Sequence, residues 1–377
     1  MAQGTHYMTI DFRTLANIGI RNLTPYQPGK PIEEVERELG IQSVIKLASN
    51  ENPLGPSPKA IQAAEHALSA AHIYPDGNCY EFKQTLAAFL SIRTEQITVG
   101  NGSENLLELV VKAFLNPDET AIISQYAFLT IPIILKSYGI QIKVAPAIHW
   151  GHDVRHIIQA IDKKTKMIFL VNPNNPTGTY THANDFELLM QSIPPHIIVI
   201  CDEAYSEYIS HHDYPNTLSL LAHYPNLIIT RTFSKAYGLA ALRIGYAISS
   251  SEVADILNRA RLPFNVNTIA SHAACAALAD HKHVERSIQV NNEGMQQLES
   301  SLKSLNLSFI PSIANFITID VGHAVTVYQN LLREGVIVRP LHAYDMPRHI
   351  RVTIGTEAQN TRFLAALVKC VQYEKSD

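Results

Sequence analysis

The sequence predicts an α/β protein: a large domain with a mostly parallel central sheet flanked by helices, plus a smaller α+β C-terminal domain. Three observations predict it. Short β-branched runs, apolar on both faces, recur between residues 120 and 248, as strands covered by helices on each side require. Amphipathic stretches lie between these runs, the alternation that builds a parallel sheet. After Pro263 the alternation gives way to a long helical stretch and then to scattered strands. A chain of 377 residues has room for two or three domains at about 150 residues each.

In chain order, residues 21–31 are rich in proline, contain Gly29 and read as an extended arm within an N-terminal segment, 1–44. The large domain is expected over 45–262 and the small one over 263–377. Segment 57–71 opens with Ser57-Pro58, a helix-start pair, and carries Ile61, Ala64 and Leu68 on one stripe. Segment 104–115 places Glu104, Glu108 and Lys112 on a polar face and turns Leu107, Val110, Val111 and Phe114 inward. Strands are expected at 120–124, 141–145, 166–171, 196–201, 226–230 and 244–248. The C-terminal part reads as one long helix over 268–305, strands at 314–320, 336–339 and 350–354, and a last helix over 357–373.

Composition removes several function classes. The formal charge is 30 − 34 = −4, without the basic surplus of a nucleic-acid binder. No apolar run approaches the roughly 18 residues of a membrane helix, and residues 1–10 lack the basic start and apolar core of a secretory signal. Cys79, Cys201, Cys275 and Cys370 lie far apart with no C-x-x-C, which fits a reduced cytoplasmic protein and not a disulfide or zinc framework. His211-His212-Asp213 has no spaced partner ligands, so no metal is expected.

Chemistry concentrates just past the expected strands, where ligands gather in open α/β sheets. Gly100-Asn101-Gly102-Ser103-Glu104 opens a helix whose free N–H groups suit a phosphate, although it matches neither the dinucleotide nor the P-loop fingerprint. Asn172-Pro173-Asn174-Asn175-Pro176-Thr177-Gly178 is a rigid turn, either a plain connector or a mount for an amide. Cys201-Asp202-Glu203-Ala204-Tyr205 sets an acid pair at a strand end, fit for a metal, a ribose or a helix cap. Thr232-Phe233-Ser234-Lys235 stands eight residues before Arg243. It suits an anionic cofactor that needs an amine, although a single lysine is usually a surface residue. Each segment alone has a plain structural reading; the four together are hard to reach by accident.

The chain resembles the fold-type I pyridoxal-phosphate (PLP) aminotransferases of class II, and within them the histidinol-phosphate aminotransferase family. The matching residues include Arg21-Asn22-Leu23-Thr24-Pro25-Tyr26, Ser49-Asn50-Glu51-Asn52-Pro53, Tyr74-Pro75-Asp76-Gly77, the four segments above, Leu242-Arg243-Ile244-Gly245 and Ile350-Arg351-Val352-Thr353. The similarity spans roughly residues 21–370. Two departures are Glu104, where aspartate is usual, and Ala241, where glycine is common.

The resemblance implies roles. Lys235 is the amine that condenses with the PLP aldehyde and later moves the Cα proton. Asp202 pairs with the pyridine nitrogen, and Asn175 and Tyr205 hydrogen-bond the phenolic oxygen. Tyr126 stacks on the ring. Gly102, Ser103, Ser234 and Arg243 hold the phosphate, joined by Tyr74 from a neighbouring subunit. Tyr26, Asn50, Arg339 and Arg351 contact substrate. The implied protein is a cytoplasmic homodimer with shared active sites, its N-terminal arm packed on the small domain and the partner subunit. It takes the amino group of L-histidinol phosphate and passes it to 2-oxoglutarate, with no nucleic acid or membrane partner. An aromatic (Phe/Tyr) aminotransferase of the same subgroup is the alternative, because the PLP residues do not separate the two.

Overall fold

The computed structural model describes residues 10–25 and 29–373. At its centre is a seven-stranded sheet of β1 (Ile97–Gly100), β2 (Thr120–Ser124), β3 (Gln141–Ala145), β4 (Thr165–Val171), β5 (Ile198–Asp202), β6 (Leu227–Thr232) and β7 (Gly245–Ile248). The order is β1-β7-β6-β5-β4-β2-β3. β7 runs antiparallel to both β1 and β6, and the remaining neighbours are parallel. β1 is the strand that the sequence reading lacks. Its apolar run is only Ile97-Thr98-Val99, too short to stand out, and it is secured by pairing with β7.

The continuous apolar character of the central strands has a direct cause. Met167, Phe169 and Val171 of β4 turn to one face, with Ile198, Ile200 and Ile228 of its neighbours. Ile168 and Leu170 turn to the other, with Val199, Cys201, Leu227 and Ile229. The period of two fills both faces, and helices cover both. One covering helix, α1 (Pro58–Leu68), starts where Ser57 Oγ accepts from the N–H groups of Lys59 (3.1 Å) and Ala60 (3.3 Å). Another, α2 (Ser103–Phe114), buries Leu106, Leu107, Leu109, Val110 and Val111 and leaves Glu108 and Lys112 exposed.

The expected long helix is two helices, α3 (Thr268–Leu278) and α4 (His281–Ser304). Asp280 breaks it, at φ −106° and ψ 63°. Its carboxylate accepts from Ser57 Oγ at 2.7 Å and lies 3.6 Å from Lys59 Nζ. The corner is thereby tied to the start of α1, a tertiary contact that helical periodicity cannot show. α3 buries Ala270, Ala273, Ala274 and Ala277 in the core of the large sheet, whereas α4 gives Met295, Leu298 and Leu302 to a second core. Leu47 belongs to that second core, and Ile45–Lys46 pairs in parallel with Val336–Ile337. Apolar packing therefore runs across both domain boundaries read from the sequence.

The second core lies against an antiparallel sheet of β8 (Phe309–Ile310), β9 (Phe316–Asp320), β10 (Arg339–Pro340) and β11 (His349–Thr353), in the order β10-β11-β9-β8. Val327, Leu331, Phe363 and Leu367 pack with Ile317, Ile319, Ile350 and Val352 there. Among the described residues, no helix is long and apolar enough to cross a membrane, and no group of three or more His, Cys, Asp or Glu side chains is placed to hold a metal ion.

Phe233 joins the core to the turn after β6. It is wholly buried, edge-on to Phe82 with ring centroids 5.5 Å apart, and 4.6 Å from Tyr237. Phe233→Ala is expected to lower stability by about 3–5 kcal/mol, the usual cost of emptying such a site. Urea unfolding measures it, and a loss below about 1 kcal/mol would mean that Phe233 does not anchor this turn.

Candidate active site

The loops that leave β1, β4, β5 and β6 converge at one edge of the large sheet. With Ser49-Asn50 and the two arginines of β10 and β11, they enclose a cavity of about 310 Å³. It is lined by Asn50, Ser103, Asn175, Asp202, Tyr205, Ser234, Lys235, Arg243, Arg339 and Arg351, all singled out from the sequence.

Lys235 stands in the turn between β6 and β7. Its Nζ donates to Ser49 O at 3.0 Å and lies 5.8 Å from the centre of the Tyr205 ring. Burial, and then the charge of Arg351, lower the amine from its ordinary value to about 8. Asp202 ends β5 and is 3% exposed. Burial raises its carboxyl to about 7, against the pull of a hydrogen bond from Thr230 Oγ1 to Oδ1 at 2.9 Å. Amine and carboxyl are thus both drawn toward neutrality by the same dry setting.

The Tyr205 hydroxyl oxygen accepts from Asn50 Nδ2 at 2.8 Å and from Asn175 Nδ2 at 3.2 Å. Burial holds this phenol well above its ordinary value, so it keeps its proton. Asn175 Oδ1 accepts in turn from Arg351 Nη1 at 2.5 Å, and Arg351 Nη2 donates to Ala48 O at 2.7 Å. Arg351 is nearly buried, and its Nε has no partner. A buried guanidinium with a donor to spare is suited to an anion. Arg339 is its register partner on the adjacent strand.

The helix start at Ser103 forms a cradle. Gly102 sits at φ +84°, and a Cβ there would lie 2.6 Å from Arg243 Nη2, so glycine alone lets the guanidinium approach the turn. Arg243 Nη1 donates to Ser234 Oγ at 3.3 Å and to Ala240 O at 3.2 Å, and Nη2 is 3.6 Å from Glu104 Oε2. Helix-start N–H groups, two serine hydroxyls and a guanidinium form a donor set for a dianion. These residues fit a phosphorylated pyridine with an aldehyde: the cradle would hold its phosphate, Asp202 would serve its ring nitrogen and Lys235 its carbonyl.

Tyr74, expected to serve the site of a neighbouring subunit, does not line the cavity of its own chain. It is 80% exposed and stacks on Phe264 at 4.9 Å. Tyr126 does not line the cavity either. It takes the left-handed turn after β2, at φ +61°, and its ring lies against Trp150 at 5.2 Å. Phe128, two residues on, lines the cavity instead. Tyr26 lies outside the described residues. Gly29, read only as part of the arm, also lines the cavity, as do Glu104 and Thr232 from the segments singled out above. Phe128 shares a loop with Tyr126, and only the path of that loop decides which ring arrives.

Fold and site together define a PLP enzyme of fold type I. The family model for class I and II aminotransferases matches residues 42–367. The chain is 51% identical to histidinol-phosphate aminotransferase 2 of Pseudomonas fluorescens (strain Pf-5) over 365 residues, which is 96% of this chain and 99% of that one. It is 50% identical to histidinol-phosphate aminotransferase 1 of Nitrosococcus oceani, over 94% of this chain and 96% of that one. The crystal structure of histidinol-phosphate aminotransferase from Sinorhizobium meliloti, solved with pyridoxal-5'-phosphate, superposes with a TM-score of 0.86 at 25% identity, covering 99% of each chain. The chain belongs to the class I and II aminotransferase family, and its cofactor is PLP.

Proposed function

We propose that this enzyme transfers the amino group of L-histidinol phosphate to 2-oxoglutarate by a ping-pong route in histidine biosynthesis. The products are imidazole acetol phosphate and L-glutamate. The observation that carries this reading is the pair Arg339 and Arg351, opposed across β10 and β11 and both lining the cavity in addition to the Arg243 cradle. One guanidinium serves the cofactor phosphate. Two more serve a substrate anion, a number suited to a phosphate dianion. The relatives of this chain carry the same activity in their names.

Bound in this cavity, PLP supplies a carbonyl that takes up the donor's amino group and a ring that accepts the electron pair left at Cα. Lys235 Nζ, brought down to about 8 by burial and Arg351, would carry the proton from the donor's Cα to the cofactor's carbonyl carbon in the first half-reaction and back to Cα of the new amino acid in the second. The Asp202 carboxylate would hold a proton on the ring nitrogen, and Tyr205 and Asn175 would hydrogen-bond the phenolic oxygen. Because Asn175 also receives Arg351 Nη1, binding of the substrate anion is linked to the cofactor's setting.

The reading includes a cytoplasmic homodimer. Tyr74, four-fifths exposed and outside its own cavity, is available to the site of a neighbouring subunit. The test is half-reaction spectroscopy. Holoenzyme is mixed separately with histidinol phosphate, phenylalanine and tyrosine, and loss of the cofactor's visible band is followed. Histidinol phosphate is expected to react fastest; a response confined to the aromatic amino acids would overturn the assignment.

A further inference from the structure

Thr230 is wholly buried on β6, in register with Asp202 on β5. Its face of the strand continues Ile228 and ends at Thr232. A β-branched residue suits a strand, and valine would fill the same space. A hydroxyl in such a place costs free energy unless it is hydrogen-bonded. Its bond is the 2.9 Å donation from Oγ1 to Asp202 Oδ1. We propose that Thr230 is a positioning residue for Asp202: its hydroxyl fixes the rotation of the carboxylate and keeps it ionised, so that the other oxygen meets the cofactor's ring nitrogen.

This rests on the reading of Asp202 as the partner of that nitrogen. The charges around Asp202 explain why a donor is needed. Burial favours the neutral acid, and Glu104 and Glu203 add to that pressure; Thr230 and Lys235 oppose it. Lys235 is committed to the amino group, so Thr230 is the stabilising partner that stays in place throughout turnover.

The test separates shape from hydrogen bonding. Thr230→Val keeps the shape and deletes the donor, whereas Thr230→Ser keeps the donor and deletes a methyl group. Two measurements are made on purified holoenzyme: release of PLP on dilution, and steady-state kinetics giving kcat and KM for histidinol phosphate. Thr230→Val is expected to loosen PLP and to lower kcat, each about tenfold, as for the loss of a hydrogen bond to an ionised group. KM stays near the wild-type value, and Thr230→Ser restores PLP retention and kcat. Wild-type retention of PLP by Thr230→Val overturns the proposal, as does a serine variant as impaired as the valine. If the valine variant fails to fold, Thr230→Ala against Thr230→Ser makes the same comparison. Asp202→Asn, run in parallel, distinguishes the two readings. Impaired Asp202→Asn beside intact Thr230→Val removes the role of Thr230 alone, whereas intact Asp202→Asn removes both.

Discussion

Lys235→Ala is expected to lower kcat by more than about 10⁴-fold, beyond the loss of general acid–base catalysis alone, and to erase the visible band of cofactor joined to the enzyme. The side chain is both nucleophile and proton carrier, so no neighbour substitutes for it. Its setting also predicts a pH dependence. Burial and Arg351 disfavour the ammonium form and bring the amine to about 8. The group has to be neutral to attack a carbonyl. Uptake of PLP by the cofactor-free enzyme is therefore expected to accelerate as pH rises from about 6 and to level off above about 8. Rapid-mixing absorbance measures it. Substantial turnover by Lys235→Ala, or an uptake rate flat across this range, would count against the assigned role.

Asp202→Ala is expected to leave PLP bound, though less tightly, and to slow removal of the Cα proton by about 10³-fold, the loss typical of deleting one preorganised electrostatic partner. Without a carboxylate the ring nitrogen loses its proton, and the ring accepts the electron pair at Cα poorly. A substrate deuterated at Cα should then show a larger isotope effect on kcat, because this step comes to dominate the rate. A rate near wild type would remove the electron-accepting argument.

The legibility of the site has a physical basis. Asp202 follows an apolar run directly, and Asn175 and Lys235 stand in the turns just past two others. A short strand and the turn after it are local features, so their order along the chain carries over into space. Residues that reach the cavity through distant pairing leave no local trace. Arg339 and Arg351 meet only through the register of β10 with β11, and Thr230 meets Asp202 only through that of β6 with β5. Phe128 and Tyr126 are both aromatic, and the positive φ at Tyr126 sends its ring to Trp150. The break at Asp280 was hidden for the same reason: the hydroxyl of Ser57, which accounts for it, lies 223 positions away.

The sequence by itself determined six of the seven strands that build the large sheet, the turn chemistry at their ends and the kinds of groups gathered there. Apolar periodicity and backbone preference act within a few residues. The tertiary structure decided which of those groups touch, how dry they are and how far an amine and a carboxyl are moved from their usual titration. Those properties depend on strand register and on the burial supplied by the whole chain.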